Sequence, residues 1–432
     1  MKPRYLTKPV VAWAAYDWAN SAFATTVMVV FFPVFFKQYW AADMSDTDST
    51  AWLGITNGVS SFVLAVLAPW LGMLGDRGGA RLKFLLAFTI LGIAGTAGLY
   101  FVEQGAALAA AVMFGLASLG FWGGIVFYDS LLVDVAPRDR LDAVSGIGYA
   151  IGYLGGGVLL AINVWMTLDP QLFGLASAGE AVRFSFLTVA FWWAIFSVPI
   201  FLVVREHSDD APHVGSTLRD SFVALGQTIR EVRRYRAVVL FLLAYWMYID
   251  GVNTIQKMAV DYGLAIGLET SSLVQAILLV QFIGFPAALF FGWIGQRVSA
   301  VAGLFVCIVV FALVTIYATM LETETEFFAM AAATGCVQGG IQALSRSYYG
   351  RLIPHERAGT FFGFYNMMSK FAAVLGPFLM SFTALVTGNS RTAILSIVVL
   401  FIGGGILLWI AARAAERTAA GATTLAADSP RT

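Results

Sequence analysis

The chain has 432 residues, of which 59% are hydrophobic and only 12% charged, against about 25% charged in ordinary soluble domains. A mean hydropathy of +0.79 excludes a soluble globular protein and calls for an integral membrane protein. Lys plus Arg equals Asp plus Glu at 26 each, so net charge gives no reason to expect a nucleic acid or another polyanion as partner.

A helix needs about 20 apolar residues to cross a bilayer. Twelve such stretches follow one another, at 10–39, 52–74, 84–102, 106–135, 142–166, 184–204, 237–262, 271–294, 299–321, 327–350, 358–386 and 391–413. They are continuously apolar rather than alternating, which argues against barrel strands. The first begins after Lys2, Arg4 and Lys8 and runs to about Phe36. That is too long for the apolar core of a signal peptide, so it is expected to stay as the first helix.

The expected fold is therefore an all-α membrane protein with twelve transmembrane helices. An N-terminal six-helix bundle would occupy 1–204 and a C-terminal one 237–413, joined by a linker at 205–236 and followed by a disordered tail at 414–432. Residues 216–236 fit an amphipathic helix on the membrane surface, and they fit a solvated connector equally well. The opposite loops hold only Lys37, Arg183 and Arg391, while Lys257, Arg346 and Lys370 lie inside the stretches. All other Lys and Arg fall on the side of the termini, which the positive-inside rule makes cytoplasmic. Compact loops and the absence of Asn-x-Ser/Thr sites favour a bacterial inner membrane.

Cys307 and Cys336 both lie in apolar stretches, where packing is the expected role. His207, His213 and His355 all lie in hydrophilic loops, which excludes a histidine relay inside the membrane. No cofactor is expected. The partners expected are a small-molecule substrate, the lipid bilayer and protons as coupling ion, with the chain acting as a monomer.

From the second stretch of each half to the fifth, the two halves align without gaps at one offset of 217 residues, and the first stretches align at an offset of 233. Pro69 meets Pro286, Gly75 meets Gly292, Gly123 meets Gly340, Pro137 meets Pro354, Arg140 meets Arg357 and Gly146 meets Gly363. Two six-helix halves in parallel repeat is the architecture of major facilitator transporters.

The polar residues inside the apolar stretches are the candidates for function. A charge at the bilayer centre costs about 2.5–3.5 kcal/mol on insertion scales and faces water, a partner or a substrate. Asp17, Asn20, Ser21 and Thr25 share one face of the first helix, and Asp250, Asn253 and Lys257 share one face of the seventh. The spelling Asp-x-x-Asn thus occurs once per half, as though one central site were built twice. Gln338, Gln342 and Arg346 stripe the tenth helix, Tyr128 and Asp129 lie in the fourth, and Asn366 and Lys370 in the eleventh. Asp129 aligns with Arg346 at the same offset of 217. The two could pair across the cleft and close a gate, or each could pair within its own bundle. Asp17, Asp129 and Asp250 balance Lys257, Arg346 and Lys370, which suits a zwitterionic substrate or mutual neutralisation. Asp261, one turn from Lys257, is a further partner for it. Asp17 is the better candidate for exchanging protons and Asp250 for anchoring substrate. Glycines at 148, 152, 156, 335 and 339 permit close helix packing.

The loop Gly72-Met-Leu-Gly-Asp76-Arg77-Gly-Gly79-Ala-Arg81 resembles the signature of the major facilitator superfamily. That resemblance implies that Asp76 faces the start of the eleventh helix near Ala358, that Arg77 or Arg81 pairs with Asp134, and that the cluster latches the cytoplasmic side. The second-half counterpart, Gly292-Trp-Ile-Gly-Gln296-Arg297, lacks the acid, which puts a symmetrical latch in doubt. Tyr16-Asp-Trp-Ala-Asn-Ser-Ala22, Gln338-Gly-Gly-Ile-Gln342-Ala-Leu-Ser-Arg346-Ser and Gly363-Phe-Tyr-Asn366-Met-Met-Ser-Lys370-Phe look like the branch named for the autophagy-related vacuolar amino-acid effluxers. The resemblance implies a twelve-helix transporter with helices 1, 4, 7 and 10 around a central cavity and raises amino-acid efflux, while the charge balance within the stretches fits an amino acid or small peptide moved by a secondary transporter. Another small solute, such as a sugar, a nucleoside or a drug-like molecule, is the alternative, as is a transport-inactive receptor or scaffold. No Gly-Lys-Ser/Thr loop, Gly-x-Ser-x-Gly or His-Glu-x-x-His occurs, so neither an ATP-driven pump nor an enzyme is expected.

Overall fold

A computed structural model describes residues 6–76, 79–206, 230, 232–265, 267–372, 375–388 and 390–427. The N-terminal half holds α1 (Lys8–Trp40), α2 (Asp46–Asp76), α3 (Arg81–Phe101), α4 (Ala107–Val135), α5 (Leu141–Leu168) and α6 (Ala178–Val203). The C-terminal half holds α7 (Arg236–Ala265), α8 (Thr270–Ile294), α9 (Ala300–Ala318) and α10 (Glu324–Leu352). It ends with α11, in two pieces at Ala358–Phe371 and Leu375–Thr387, and α12 (Val398–Ala427).

By length and composition α8 and α9 form one apolar stretch of 49 residues, about 73 Å as a single helix and far beyond a bilayer. Ser299 breaks it. Its backbone is extended at φ −173°, ψ 136°, and its side chain accepts from Ala302 N to cap α9. Elsewhere Thr7 caps α1, Ser177 caps α6, and Thr323 with Glu326 forms a capping box on α10.

The ends expected from hydropathy differ in three places. The last helix runs on to Ala427, past the expected boundary at residue 413. The segment there is rich in Ala, the best helix former, and needs no burial to stay helical. The helix is also preceded by a short one, Ser390–Leu395. The eleventh stretch is not one helix. Most of the expected linker, including the segment read as amphipathic, lies outside the described residues.

Within the N-terminal half α1 packs on α5 and α6, and α3 on α4; in the C-terminal half α7 packs on α12, and α10 on α8 and α9. The halves meet most closely along two crossings, α2 with the first piece of α11 and α5 with α8, and α5 also packs on α10 and α4 on the first piece of α11. One glycine pair of the repeat, Gly146 and Gly363, lies at these crossings. A Cβ on Gly363 would stand 2.5 Å from Ala68 O, and one on Gly146 2.8 Å from Ala288 O. Equivalent positions thus let the backbones touch at both seams. A continuous apolar core joins the halves on the side of the termini and includes Trp13, Phe127, Phe241 and Tyr349. A second core, with Phe23, Phe32, Phe114 and Trp193, fills the far end of the N-terminal half, with Val274, Ile277 and Leu278 of α8 packed against it. The halves are therefore shut at the terminal face.

Candidate transport cavity

A cavity of about 380 Å³ lies between the halves, within the usual range of roughly 300–1,000 Å³ for small-molecule sites. Its polar lining comes from Asp17, Asn20, Ser21 and Thr25 on α1, Asp129 on α4, Tyr149 and Tyr153 on α5, Gln256 on α7, Gln281 on α8, and Gln338, Gln342 and Arg346 on α10. Its apolar walls include Trp122, Ile255, Phe327 and Met330.

Close packing of α1 on α5 places Asp17. A Cβ on Gly152 would stand 2.8 Å from Ser21 Oγ and 3.1 Å from Asp17 Oδ1, and one on Gly148 2.7 Å from the Trp13 ring. The glycine stripe thus brings α5 against the polar face of α1. Just past Ser21, α1 widens into a π-helical stretch over Phe23–Phe31, a feature often found near functional sites. Thr25 donates there to Ser21 O at 3.0 Å and to Gly156 O at 3.3 Å.

At the cavity floor Arg346 is almost fully buried. Its Nη1 lies 3.1 Å from Asp129 Oδ1 and 3.9 Å from Asp17 Oδ2. Its Nε donates to Ser145 Oγ at 3.0 Å and its Nη2 to Ser145 O at 3.1 Å. The rings of Tyr149, Trp13 and Tyr128 surround the guanidinium at 4.2, 4.8 and 5.5 Å. Each desolvated ring contact of this kind is worth up to about 2 kcal/mol. The Asp129–Arg346 pair spans the two halves, and Ser145 adds a second bond across the same seam. Two carboxylates share one guanidinium, so the trio of Asp17, Asp129 and Arg346 carries one negative charge when all are ionised.

Below this floor the terminal face is latched. Asp76, the last residue of α2, accepts from Gly359 N at 2.7 Å, Thr360 N at 2.6 Å and Thr360 Oγ1 at 2.7 Å. These are the free donors and the positive end of the first turn of α11. Arg81 Nη1 lies 2.9 Å from Asp134 Oδ2. Arg77, the other expected partner of Asp134, lies outside the described residues. Glu206 was not anticipated. It accepts from Arg81 N at 2.9 Å and Leu82 N at 3.3 Å and so caps α3.

The second seam is also latched, with its polarity reversed. Asp142, at the repeat position of Gly359, is fully buried at the start of α5. It accepts from Ser347 Oγ at 2.5 Å and forms an ion pair with Arg351, both on α10. Gln296, just beyond α8, donates to Asp139 O. The acid missing after α8 is thus supplied from the other half. Asp142→Ala is expected to cost about 1–3 kcal/mol, because it strands Ser347 and Arg351, and to lower the thermal midpoint of the purified protein. An unchanged midpoint would remove Asp142 from this seam.

Several expected lining residues lie elsewhere. Tyr128 stands behind Asp17, donating to its Oδ2 at 3.0 Å while stacked on Trp13 at 4.6 Å. Asn366 supports Asp129, donating to its Oδ2 at 3.2 Å. Lys370 does not line the cavity but sits over the face of Trp122, which does. Lys257 is exposed and apart from the cavity, and the side chain of Asp261, its expected partner, lies outside the described part.

The largest correction concerns Asp250 and Asn253. Asp250 accepts from Leu375 N at 2.8 Å and Gly376 N at 3.0 Å, and Asn253 donates to Ala372 O at 2.9 Å. Both are occupied by the interrupted α11, so the two Asp-x-x-Asn motifs do not build one site twice. Tyr149, Tyr153 and Gln281 went unnoticed. Gln281, a lone amide in the apolar α8, was a usable signal, and so was the i, i+4 pair Tyr149–Tyr153 beside the glycine stripe.

Comparison with known proteins agrees with this architecture. The family model described as vacuole effluxer Atg22 like matches residues 39–140 and 133–421. The uncharacterized MFS-type transporter YxiO of Bacillus subtilis (strain 168) is 40% identical over 406 residues, covering 93% of this chain and 94% of that protein. Autophagy-related protein 22 of Coccidioides immitis (strain RS) is 22% identical over 486 residues, covering 86% and 81%. Among solved structures, the human organic anion transporter MFSD10 (TETRAN) superposes with a TM-score of 0.70 at 14% identity, covering 94% of this chain and 100% of that one. FucP in the outward conformation gives a TM-score of 0.71 at 11% identity, covering 94% and 99%. At those identities the likeness shows the fold. The chain therefore belongs to the Atg22-like vacuole effluxer family within the major facilitator superfamily, and is a membrane transporter of small solutes rather than an enzyme.

Proposed function

We propose that this protein moves a small zwitterionic solute, an amino acid or short peptide, by alternating access, and that protons compete for the same charge at Asp17. The observation that carries this reading is the shared guanidinium. Asp17 and Asp129 have one Arg346 between them, and Asp129 takes the shorter contact. The cluster lacks one positive charge, which an ammonium group or a proton at Asp17 would supply. The Asn20 amide lies near the Tyr16 hydroxyl, and Gln256 Nε2 has no partner among the described residues. Both line the cavity and are available to the polar end of a solute.

The distribution of Lys and Arg makes the terminal face cytoplasmic. The shut face is then the inner one, and the cavity belongs to the outward-facing half of the cycle. Opening requires Asp76 to leave the start of α11, Asp142 to leave α10, and Asp129 to part from Arg346. The names of the relatives support efflux, and the Bacillus relative supports a bacterial plasma membrane. The apolar walls around Trp122 and Phe327 favour a solute with an apolar part, so sugars, nucleosides and drug-like cations are the comparison set.

Asp17→Asn in proteoliposomes is expected to lower amino-acid flux by about tenfold or more, the effect of about 1.4 kcal/mol, and to flatten its pH dependence. Full and still pH-dependent flux would remove Asp17 from the mechanism.

A further inference from the structure

The seventh helix holds the two ends of a broken one. The first piece of α11 ends at Phe371, where Ala372 leaves helical geometry at φ −76°, ψ 45°. The second piece begins at Leu375. A broken helix leaves carbonyls free on one side and N–H groups on the other. Asn253 donates to Ala372 O, and Asp250 takes Leu375 N and Gly376 N, one with each carboxylate oxygen. Thr254 Oγ1 donates to the same carboxylate at 3.3 Å. Asp250 is fully buried. A Cβ on Gly376 would stand 1.9 Å from Thr254 Oγ1 and 2.9 Å from Asp250 Oδ1, so only glycine lets the carboxylate reach this close.

The two pieces of α11 have different duties. The first packs along α2 and carries Gly359 and Thr360, which bind Asp76, and Asn366, which binds Asp129. It therefore bears contacts that must break when the terminal face opens. The second piece makes none of these contacts. Both pack on α7.

We propose that Asp250 and Asn253 are positioning residues that pin the two pieces of α11 to α7, so that the first piece pivots at Ala372 as a lever while the second stays seated. They contact no solute in this arrangement. Their effect on transport passes through the contacts of Asp76 and Asp129. The pin is therefore expected to govern how fast the cavity changes sides, and to leave solute affinity alone.

The test uses the full chain with Asp250→Asn and, separately, Asn253→Ala. An Asn at 250 keeps the shape but turns an NH₂ toward a backbone N–H. Hydrogen exchange in lipid nanodiscs needs no solute. The amides of Leu375 and Gly376 are expected to exchange about tenfold faster than in the wild type, while those of Gly359 and Thr360 keep their protection, the sign of local rather than global opening. In proteoliposomes, with whichever solute of an amino-acid panel the wild type carries, Vmax is expected to fall about tenfold with KM within about twofold. Unchanged exchange at Leu375 and Gly376, an unchanged Vmax, or a KM that rises more than Vmax falls would each overturn the pin. The last would make Asp250 a solute contact. A wild type that moves no amino acid would sink the proposed substrate and leave the exchange result to decide the pin.

Discussion

Replacing Arg346 with Gln is expected to abolish transport and to destabilise the shut terminal face by about 3–5 kcal/mol, the cost of removing one partner of a buried ion pair. Arg346 is 1% exposed, and its guanidinium stands between the two carboxylates. Asp129 and Asp17 would remain as neighbouring buried carboxylates with no cation between them. Ser145 would lose donors to both its hydroxyl and its carbonyl. The thermal midpoint of the purified protein should drop clearly. The more telling measurement is the double variant with Asp129→Asn. Removing both charges should recover much of the lost stability without recovering flux, a coupling that independent sites do not show. Additive losses would mean that the two side chains do not act as a pair.

Gly72→Ala is expected to have the second-largest effect, and through the backbone alone. Its Cβ would stand 2.0 Å from Gly359 O and 2.7 Å from Gly359 C. Neither atom belongs to a side chain that can swing away, so α2 and α11 must move apart. The donors of Gly359 and Thr360 would then leave Asp76. Spin labels placed through Lys83→Cys and Glu356→Cys, one on either side of this crossing and with the exposed Cys336 replaced by Ser, should report a longer distance than in the otherwise wild-type protein. Gly58→Ala is the control. It lies in the same helix with nothing within 4 Å of its Cβ, and should stabilise the helix by roughly 0.5–1 kcal/mol. Equal behaviour of the two variants would remove the close crossing from the latch.

Much of this was readable from the sequence because the bilayer makes long apolar runs unambiguous. The offset of 217 residues also carried three-dimensional content. It matched Gly146 with Gly363, which close the two seams, and Asp129 with Arg346, which pair across them. Asp76 followed from its glycine-rich loop. The seventh helix was harder. A buried carboxylate has the same spelling whether it faces a cavity or caps a helix end, and only the tertiary neighbour decides. A signal for the break was present in Gly376-Pro377, since Pro377 has no N–H to give to the preceding turn. Asp142 escaped for a related reason. At the repeat positions of Asp76 and Gly359 stand Trp293 and Asp142, so a search for the same letters at the same repeat position finds nothing. The cavity also draws on α5 and α8, whose polar residues are few and isolated.

The most direct test of transport through the Asp17 cavity is uptake and counterflow of radiolabelled amino acids in proteoliposomes, wild type against Asp17→Asn, with sugars, nucleosides and an organic cation in parallel. The expected result is saturable, pH-dependent flux of at least one amino acid by the wild type, and its loss in the variant. Flux confined to uncharged sugars or nucleosides, or flux that Asp17→Asn leaves intact, would contradict it.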